Sequence, residues 1–460
     1  MTQAPTCERH GESTRLTCID CERPICPKCM VRTEVGLRCE TCAEPAAAPV
    51  APSRRSRLPV VLTLAGLAVL GVLAVVLLWG GSGGEDDAIP PAPVGAWSDT
   101  PSLATIRGTA TASVLPDGRV LAAGGGVGAI ALAAAEAYDP AADRWIQAPP
   151  PPSARRGHQA VVLDDGRILL AGGLAEGRPL ASAEIYDPST EEWLPTAPMA
   201  TPRLGHSLTL LPDGRVLAAG GSGLDAEEGA AGGQTLRTAA SSEIYDPGTA
   251  TWASAGQMSS PRFEHSATPL PDGRVLMAGG SGPVSGGTEL GPLRSTEIYD
   301  PAADAFVTAG QMAEGRTNHT ATLLDDGSVL VAGGAGGDNA DISLASVEVL
   351  NPRQGGWATV ASLAESRTGH TATRLDDGRV LVAGGESARR GSRRSLASAE
   401  VFEPQGPGAG EWRPAGDMGC PRSEHAAVLL DDGSVLVVAG DAAFPGQAPV
   451  AQSCVARYRP

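Results

Sequence analysis

The sequence predicts an all-β domain of seven repeated four-stranded units over residues 94–460, and three observations carry that reading. LPDGRVLAAGG stands at 115–125 and again, letter for letter, at 211–221, with near-copies at 163–173, 270–280, 324–334, 375–385 and 430–440. The turn aspartates run from Asp117 to Asp432 in six intervals averaging 52.5 residues, a repeat length that accommodates four short strands. Spacing inside the unit is also fixed: Trp97, Trp145, Trp193, Trp252, Phe306, Trp357 and Trp412 each precede an arginine (Arg107, Arg155, Arg203, Arg262, Arg316, Arg367, Arg422) by ten residues. Three positions further on stand His158, His206, His265, His319, His370 and His425, with Ala110 the exception.

Each strand has its own signal. In HQAVVLDDGRILLAGG (158–173) two apolar runs flank Asp165-Gly166, which supplies the positive φ angles of a tight hairpin turn. The second run ends in Gly-Gly, where missing side chains let backbones approach closely. A third strand reads AEIYDP (183–188), and its Asp-Pro turns the chain into a fourth strand carrying Trp193. Hydrophobic residues at 42% supply a core, so the 59 glycines and 38 prolines do not signal disorder. The net charge of -17 excludes a nucleic-acid partner, which needs a basic face.

The W-x5-M-x3-R-x2-H…DG…GG…E-x-Y-D-P pattern resembles the kelch family, in its galactose-oxidase-like variety, over about four-fifths of the chain. The resemblance implies a seven-bladed β-propeller, with blades set radially around a channel. The last unit ends at VARYRP (455–460) without a tryptophan strand, and GAWSDTPSL (95–103) has no Tyr-Asp-Pro before it, so the two ends are expected to complete one blade. A galactose-oxidase-like propeller also raises copper-radical chemistry, which requires tyrosine and histidine ligands outside the repeat. Tyr138, Tyr186, Tyr245, Tyr299 and Tyr458 all occupy the repeat position, leaving none for copper. The repeat histidines read as packing or hydrogen-bonding groups, and Glu136, Glu184, Glu243, Glu297, Glu348 and Glu400 as partners of the arginines. The expectation is a binding module rather than an enzyme; the alternative is an oxidase or hydrolase with an unrecognised site.

Ahead of the repeats, LPVVLTLAGLAVLGVLAVVLLW (58–79) offers 22 uncharged residues, roughly 33 Å as a helix and so one membrane crossing. Arg54, Arg55 and Arg57 precede it and Glu85, Asp86 and Asp87 follow, which places the N-terminus in the cytosol and the repeats in the periplasm or outside the cell. Linkers occupy 45–57 and 80–93. Within 1–44, Cys7-x2-His10, Cys18-x2-Cys21, Cys26-x2-Cys29 and Cys39-x2-Cys42 supply eight ligands, enough for two structural Zn²⁺ ions. A reducing cytosol disfavours disulfides there. The spacing resembles a B-box-type or related cross-braced zinc finger, which implies Cys7, His10, Cys26 and Cys29 on one zinc and Cys18, Cys21, Cys39 and Cys42 on the other; sequential pairing stays open. Balanced charge in this module points to a protein partner.

Two further expectations concern the repeats. Cys420 and Cys454 are expected to form a disulfide in the closing blade, on the oxidising side of the membrane. From Gly-Gly to the tyrosine position the gaps are 13, 13, 24, 19, 16, 17 and 18 residues, so length variation sits in the loop between strands two and three, where a protein or glycan ligand is expected. Among these loops (222–241, 281–295, 386–395), the last carries Arg389, Arg390, Arg393 and Arg394, suited to a carboxylate- or phosphate-bearing ligand.

Overall fold

The structure is a computed structural model that describes residues 93–224, 236–284, 287, 289–338, 340–351, 355–389 and 392–460, together with the N-terminal hairpin of Met30–Thr33 and Gly36–Cys39. Residues 1–87 and 88–460 form two separate units. The expected membrane span 58–79 and zinc ligands Cys7, His10, Cys18, Cys21, Cys26, Cys29 and Cys42 lie outside the described residues, and Cys39 ends the second hairpin strand.

The larger unit contains seven antiparallel sheets of four blade strands each. Blade 2 is representative: Gln159–Val162, Ile168–Ala171, Ala183–Asp187 and Glu192–Pro195 pair in that order from the channel outward. Numbering the blades along the chain, blade 1 starts at Thr111, and blades 3 to 7 start at Ser207, Ser266, Thr320, Thr371 and Ala426.

The first hairpin differs from expectation in its turn. Gly118 donates to the Leu115 carbonyl (2.9 Å) and Leu115 to that of Arg119 (2.7 Å), giving a three-residue turn in which only the glycine, at φ 82°, is left-handed. Asp117 instead accepts the Arg119 N–H (3.1 Å) and pairs with its guanidinium (2.7 Å). A type I turn followed by one left-handed residue matches strand twist as well as a two-residue turn does, and needs just one glycine.

The second strand of every blade is buried along its whole length, because both of its faces meet neighbouring blades. Between blades 2 and 3, Leu169, Ala171, Ala183 and Ile185 pack against Val216, Ala218 and Tyr245, with Met199 beneath. All five tyrosines are buried, and each lies against the aromatic ring of its own fourth strand at 4.9–5.2 Å between centroids. The indole then reaches to the preceding blade: Trp193 Nε1 donates to the Pro149 carbonyl (2.8 Å) and Trp252 Nε1 to that of Ala197 (2.9 Å). One aromatic position therefore ties sheet to sheet.

Blade 7 is assembled from both chain ends. Ala96–Thr100 pairs with Val455–Arg459, and the sheet runs on through Val435–Val438 to Ala426–Leu429. Cys420, near the end of the last strand of blade 6, is bonded to Cys454, just before the third strand of blade 7, with Cα atoms 6.6 Å apart. The bridge thus joins two blades rather than lying within one. The same pair of positions is occupied by Glu314 and Ser346 in blades 4 and 5 and by Glu365 and Ser398 in blades 5 and 6, and both pairs are hydrogen bonded. Cysteine makes this recurring contact covalent where the ring closes. Intact-mass analysis after alkylation without reductant should leave Cys420 and Cys454 unlabelled, and labelling of both would remove the bridge.

Candidate ligand face and channel mouth

The arginine positions show how the blades are locked. All seven guanidinium groups are fully buried, and six meet the glutamate of the third strand: Arg107–Glu136 at 2.7 Å, Arg155–Glu184 at 2.8 Å, Arg203–Glu243 at 2.9 Å, Arg262–Glu297 at 2.7 Å, Arg316–Glu348 at 2.7 Å and Arg367–Glu400 at 2.8 Å. Each arginine also donates to backbone carbonyls; Arg203 reaches Gly220 (2.6 Å) and Ser241 (2.8 Å). The glutamate then accepts backbone N–H groups from the incoming chain, as Glu243 does from Ala200 (2.6 Å) and Thr201 (3.1 Å). Burial lowers the arginine pKa and the partner carboxylate opposes it at Arg107, Arg155, Arg203 and Arg262. These groups serve architecture, as the sequence suggested.

Blade 7 departs from this scheme. Ala456 occupies the glutamate position, Arg422 Nη2 is buried without a hydrogen-bond partner among the described residues, and burial pushes the Arg422 pKa down to about 10, with the Asp99 charge opposing it. Ala456→Glu should fill this corner and stabilise the propeller by about 1.5–3 kcal/mol, the range for hydrogen bonds to a charged group. Urea midpoints of the two proteins check it.

The histidines form a second belt, one the sequence reading left without partners. In five of the six, Nε2 meets the hydroxyl at the start of the preceding blade: His158 with Thr111 (2.9 Å), His265 with Ser207 (3.1 Å), His319 with Ser266 (2.9 Å), His370 with Thr320 (2.9 Å) and His425 with Thr371 (2.8 Å). The hydroxyl always follows the histidine position by one residue, a signal present in the sequence. For His206 the corresponding position holds Gln159, not a hydroxyl, and neither ring nitrogen has a hydrogen bond among the described residues. The first glycine of Gly-Gly makes room for this ring: a Cβ on Gly172 would lie 2.5 Å from His206 Cε1 and 2.6 Å from the Arg203 carbonyl. At the closing junction all three partners change together, to Ala110, Ala426 and Ala439.

The residues just before this belt ring the channel mouth. Thr109, Gly157, Gly205, Glu264, Asn318, Gly369 and Glu424 are all left-handed, with φ between 50° and 64°. Backbone bonds run from one blade to the next, from Glu264 N to Gly205 O (2.7 Å) through Glu424 N to Gly369 O (2.8 Å) and on to Gly157 N and Thr109 O (3.2 Å). Channel cavities of about 360 and 320 Å³ share this ring as lining. Glu264 is held by Asn318 Nδ2 (2.9 Å) and Thr317 Oγ1 (3.3 Å). The Glu424 carboxylate makes no hydrogen bond or ion pair among the described residues; the residue is exposed at the mouth, yet the protein crowded around its carboxylate, then the Glu264, Asp441 and Glu386 carboxylates, push its pKa up to about 7.

The variable connections are not irregular insertions. All seven run as two-stranded ribbons on the face that carries the ring, from Gly126–Val127 with Ile130–Ala131 in blade 1 to Asp441–Ala442 with Val450–Ala451 in blade 7. Each is pinned by a backbone bridge to the residue after the buried arginine, as Arg156 to Leu174 and Ser423 to Asp441. Alternation in these ribbons is too short to read, so the sequence showed only their lengths. Of the expected ligand arginines, Arg390 lies outside the described residues. Arg393 pairs with Glu386 (3.4 Å), Arg394 pairs with Glu365, and Arg389 is exposed beside Arg394 in a small pocket.

A family model for the kelch motif matches residues 107–152 and 155–200, the first two repeats. These are kelch repeats. The kelch propeller is 31% identical to the human protein "Kelch-like protein 34" over 39% of this chain and 28% of that protein, and 31% identical to the human "Kelch-like protein 33" over 29% and 24%. The chain therefore spans about a quarter of the length of these curated relatives. Among solved structures, a fungal alcohol oxidase of the AA5 family in complex with copper superposes with a TM-score of 0.63 at 18% identity, covering 80% of this chain and 76% of that one. The structure of YjhT superposes at 0.51 and 15%, covering 67% and 96%. At such identities the likeness is one of fold. Among the described residues, no three His, Cys, Asp or Glu side chains converge as metal ligands would.

Proposed function

We propose that this kelch propeller is the outer, protein-binding domain of a single-pass membrane protein, with its ligand seated on the ribbon face. The observation that carries the reading is the contrast between a blade scaffold of constant spacing and seven ribbons of unequal length crowning one face of it. Loops that vary over a rigid frame are where recognition is usually placed. A protein ligand is favoured over a glycan because Trp97, Trp145, Trp193, Trp252 and Trp412, which could stack on a sugar, are engaged in tying the blades. Shortening 222–241, 281–295 and 386–395 to the length found in blades 1 and 2 should keep the fold and abolish capture of the ligand by the full-length chain. Equal capture by both forms would move the binding surface elsewhere.

The span 58–79 would anchor the propeller, and the Cys420–Cys454 bridge suits an oxidising exterior. On the cytosolic side, Cys7, His10, Cys18, Cys21, Cys26, Cys29, Cys39 and Cys42 would hold two structural Zn²⁺ ions and present a surface to an internal protein partner. Zinc analysis of the purified full-length chain tests this directly: two equivalents per chain are expected, and fewer after Cys18→Ser.

A further inference from the structure

We propose that the ribbon face between blades 7 and 1 is a docking surface for a protein segment in which a lysine or arginine is flanked by apolar side chains, the basic group entering the channel mouth beside Glu424. The proposal rests on the ribbon-face reading and deepens it.

Ile106, Ile130, Phe444 and Val450 are 45%, 68%, 46% and 54% exposed. They belong to neighbouring segments. Ile106 precedes Arg107, which bridges Gln452 two residues after Val450; Phe444 sits at the turn of that ribbon, where Gln447 N donates to its carbonyl (3.0 Å). Ile130 lies on the blade 1 ribbon, whose Gly126 bridges Gly108. Large apolar side chains gathered in one sector of a surface mark interaction sites more often than scattered ones do.

Charge identifies the occupant. Around the channel mouth stand Asp441 on the blade 7 ribbon, Glu424 just before blade 7, Glu386 on the blade 6 ribbon and Glu264 just before blade 4, in a chain of net charge -17. Arg156 lies close to Asp441, Arg393 answers Glu386, and Asn318 with Thr317 holds Glu264. Glu424 alone of the four has no such partner among the described residues, and its carboxylate lies over Gly369, where a Cβ would come within 2.5 Å of Oε1. A cation placed there gains a charge-assisted hydrogen bond in a partly desolvated mouth, and its apolar neighbours cover the exposed side chains. The sequence-based expectation of an acidic ligand on the blade 6 arginines is the competing chemistry, and two of those arginines already hold glutamates.

The test is selection of a random displayed-peptide library on the immobilised full-length chain. Enriched peptides should pair Lys or Arg with Leu, Ile, Val or Phe, weaken by about tenfold or more on Glu424→Gln and on the double change Ile130→Ser with Phe444→Ser, and lose binding to the parent when their basic residue becomes glutamate. Enrichment of acidic peptides, or of basic ones that bind these variants as well as the parent, would overturn the proposal. If such peptides still fail on the shortened-ribbon form, the ribbon-face reading survives alone; if no peptide is enriched, both fall.

Discussion

Between pH 7 and pH 5 the propeller is expected to lose on the order of 10 kcal/mol of stability, enough to unfold most domains. The cause is the belt of six histidines. Burial, followed by the neighbouring arginine charge, pushes His158, His206, His319 and His425 down to about 3 and holds His265 and His370 well below the usual imidazole range. The unfolded chain takes up protons near pH 6.5 while the folded one does not, so the stabilisation is complete above that pH and is lost as pH falls. Each ring accounts for about 2 kcal/mol by pH 5. Glu424, Glu264, Glu386 and Asp441 act in the opposite sense, because their pKa values are raised in the fold, and they offset part of the loss. Urea midpoints measured across this range should fall steeply. His158→Gln should flatten the dependence by about one-sixth of the total, in keeping with six rings contributing alike. Equal midpoints at pH 5 and pH 7 would mean that the rings protonate in place.

Deleting residues 94–103 should destabilise the entire ring, by more than about 5 kcal/mol. The segment supplies the outer strand of blade 7, stacks Trp97 on Tyr458 at 5.2 Å, and buries Leu103 in the contact between blades 7 and 1. It also accepts the Tyr458 hydroxyl at the Val94 carbonyl (2.8 Å) and donates from Trp97 Nε1 to the Ala415 carbonyl (2.8 Å). Losing a fully buried tryptophan costs about 3–5 kcal/mol, the half-buried Trp97 contributes part of that, and the deletion additionally exposes the edge of Val455–Arg459 to pairing with another chain. A lower melting temperature accompanied by self-association is the expected result. Trp97→Ala should reproduce about half of the shift, and an unchanged melting temperature would contradict closure by this strand.

Much of this was legible before any coordinates. Repetition fixed the number of units, constant spacing fixed the strand order, and the incomplete units at the two ends anticipated their shared blade. The arginine and glutamate positions could be matched because a buried charge demands a partner, and the third-strand glutamate is the repeated acidic position that does not sit in a turn. The turn geometry was misread because Asp-Gly fits both two-residue and three-residue hairpins, and the choice depends on the residue before it. The ribbons escaped notice for a different reason: two to four paired residues carry too little alternation to show against glycine-rich sequence.

By itself the sequence determined the local and the periodic: four strands per unit, a buried second strand, glycine where the backbone must turn left-handed, and a core of small apolar residues. Those features follow from neighbours in the chain and from repetition. Only the tertiary structure decided what lies between blades, including the histidine-to-hydroxyl belt and the left-handed ring that places Glu424 at the channel mouth. Each of these joins residues about fifty positions apart or more, and their pairing depends on how one sheet is set against the next rather than on any pattern along the chain.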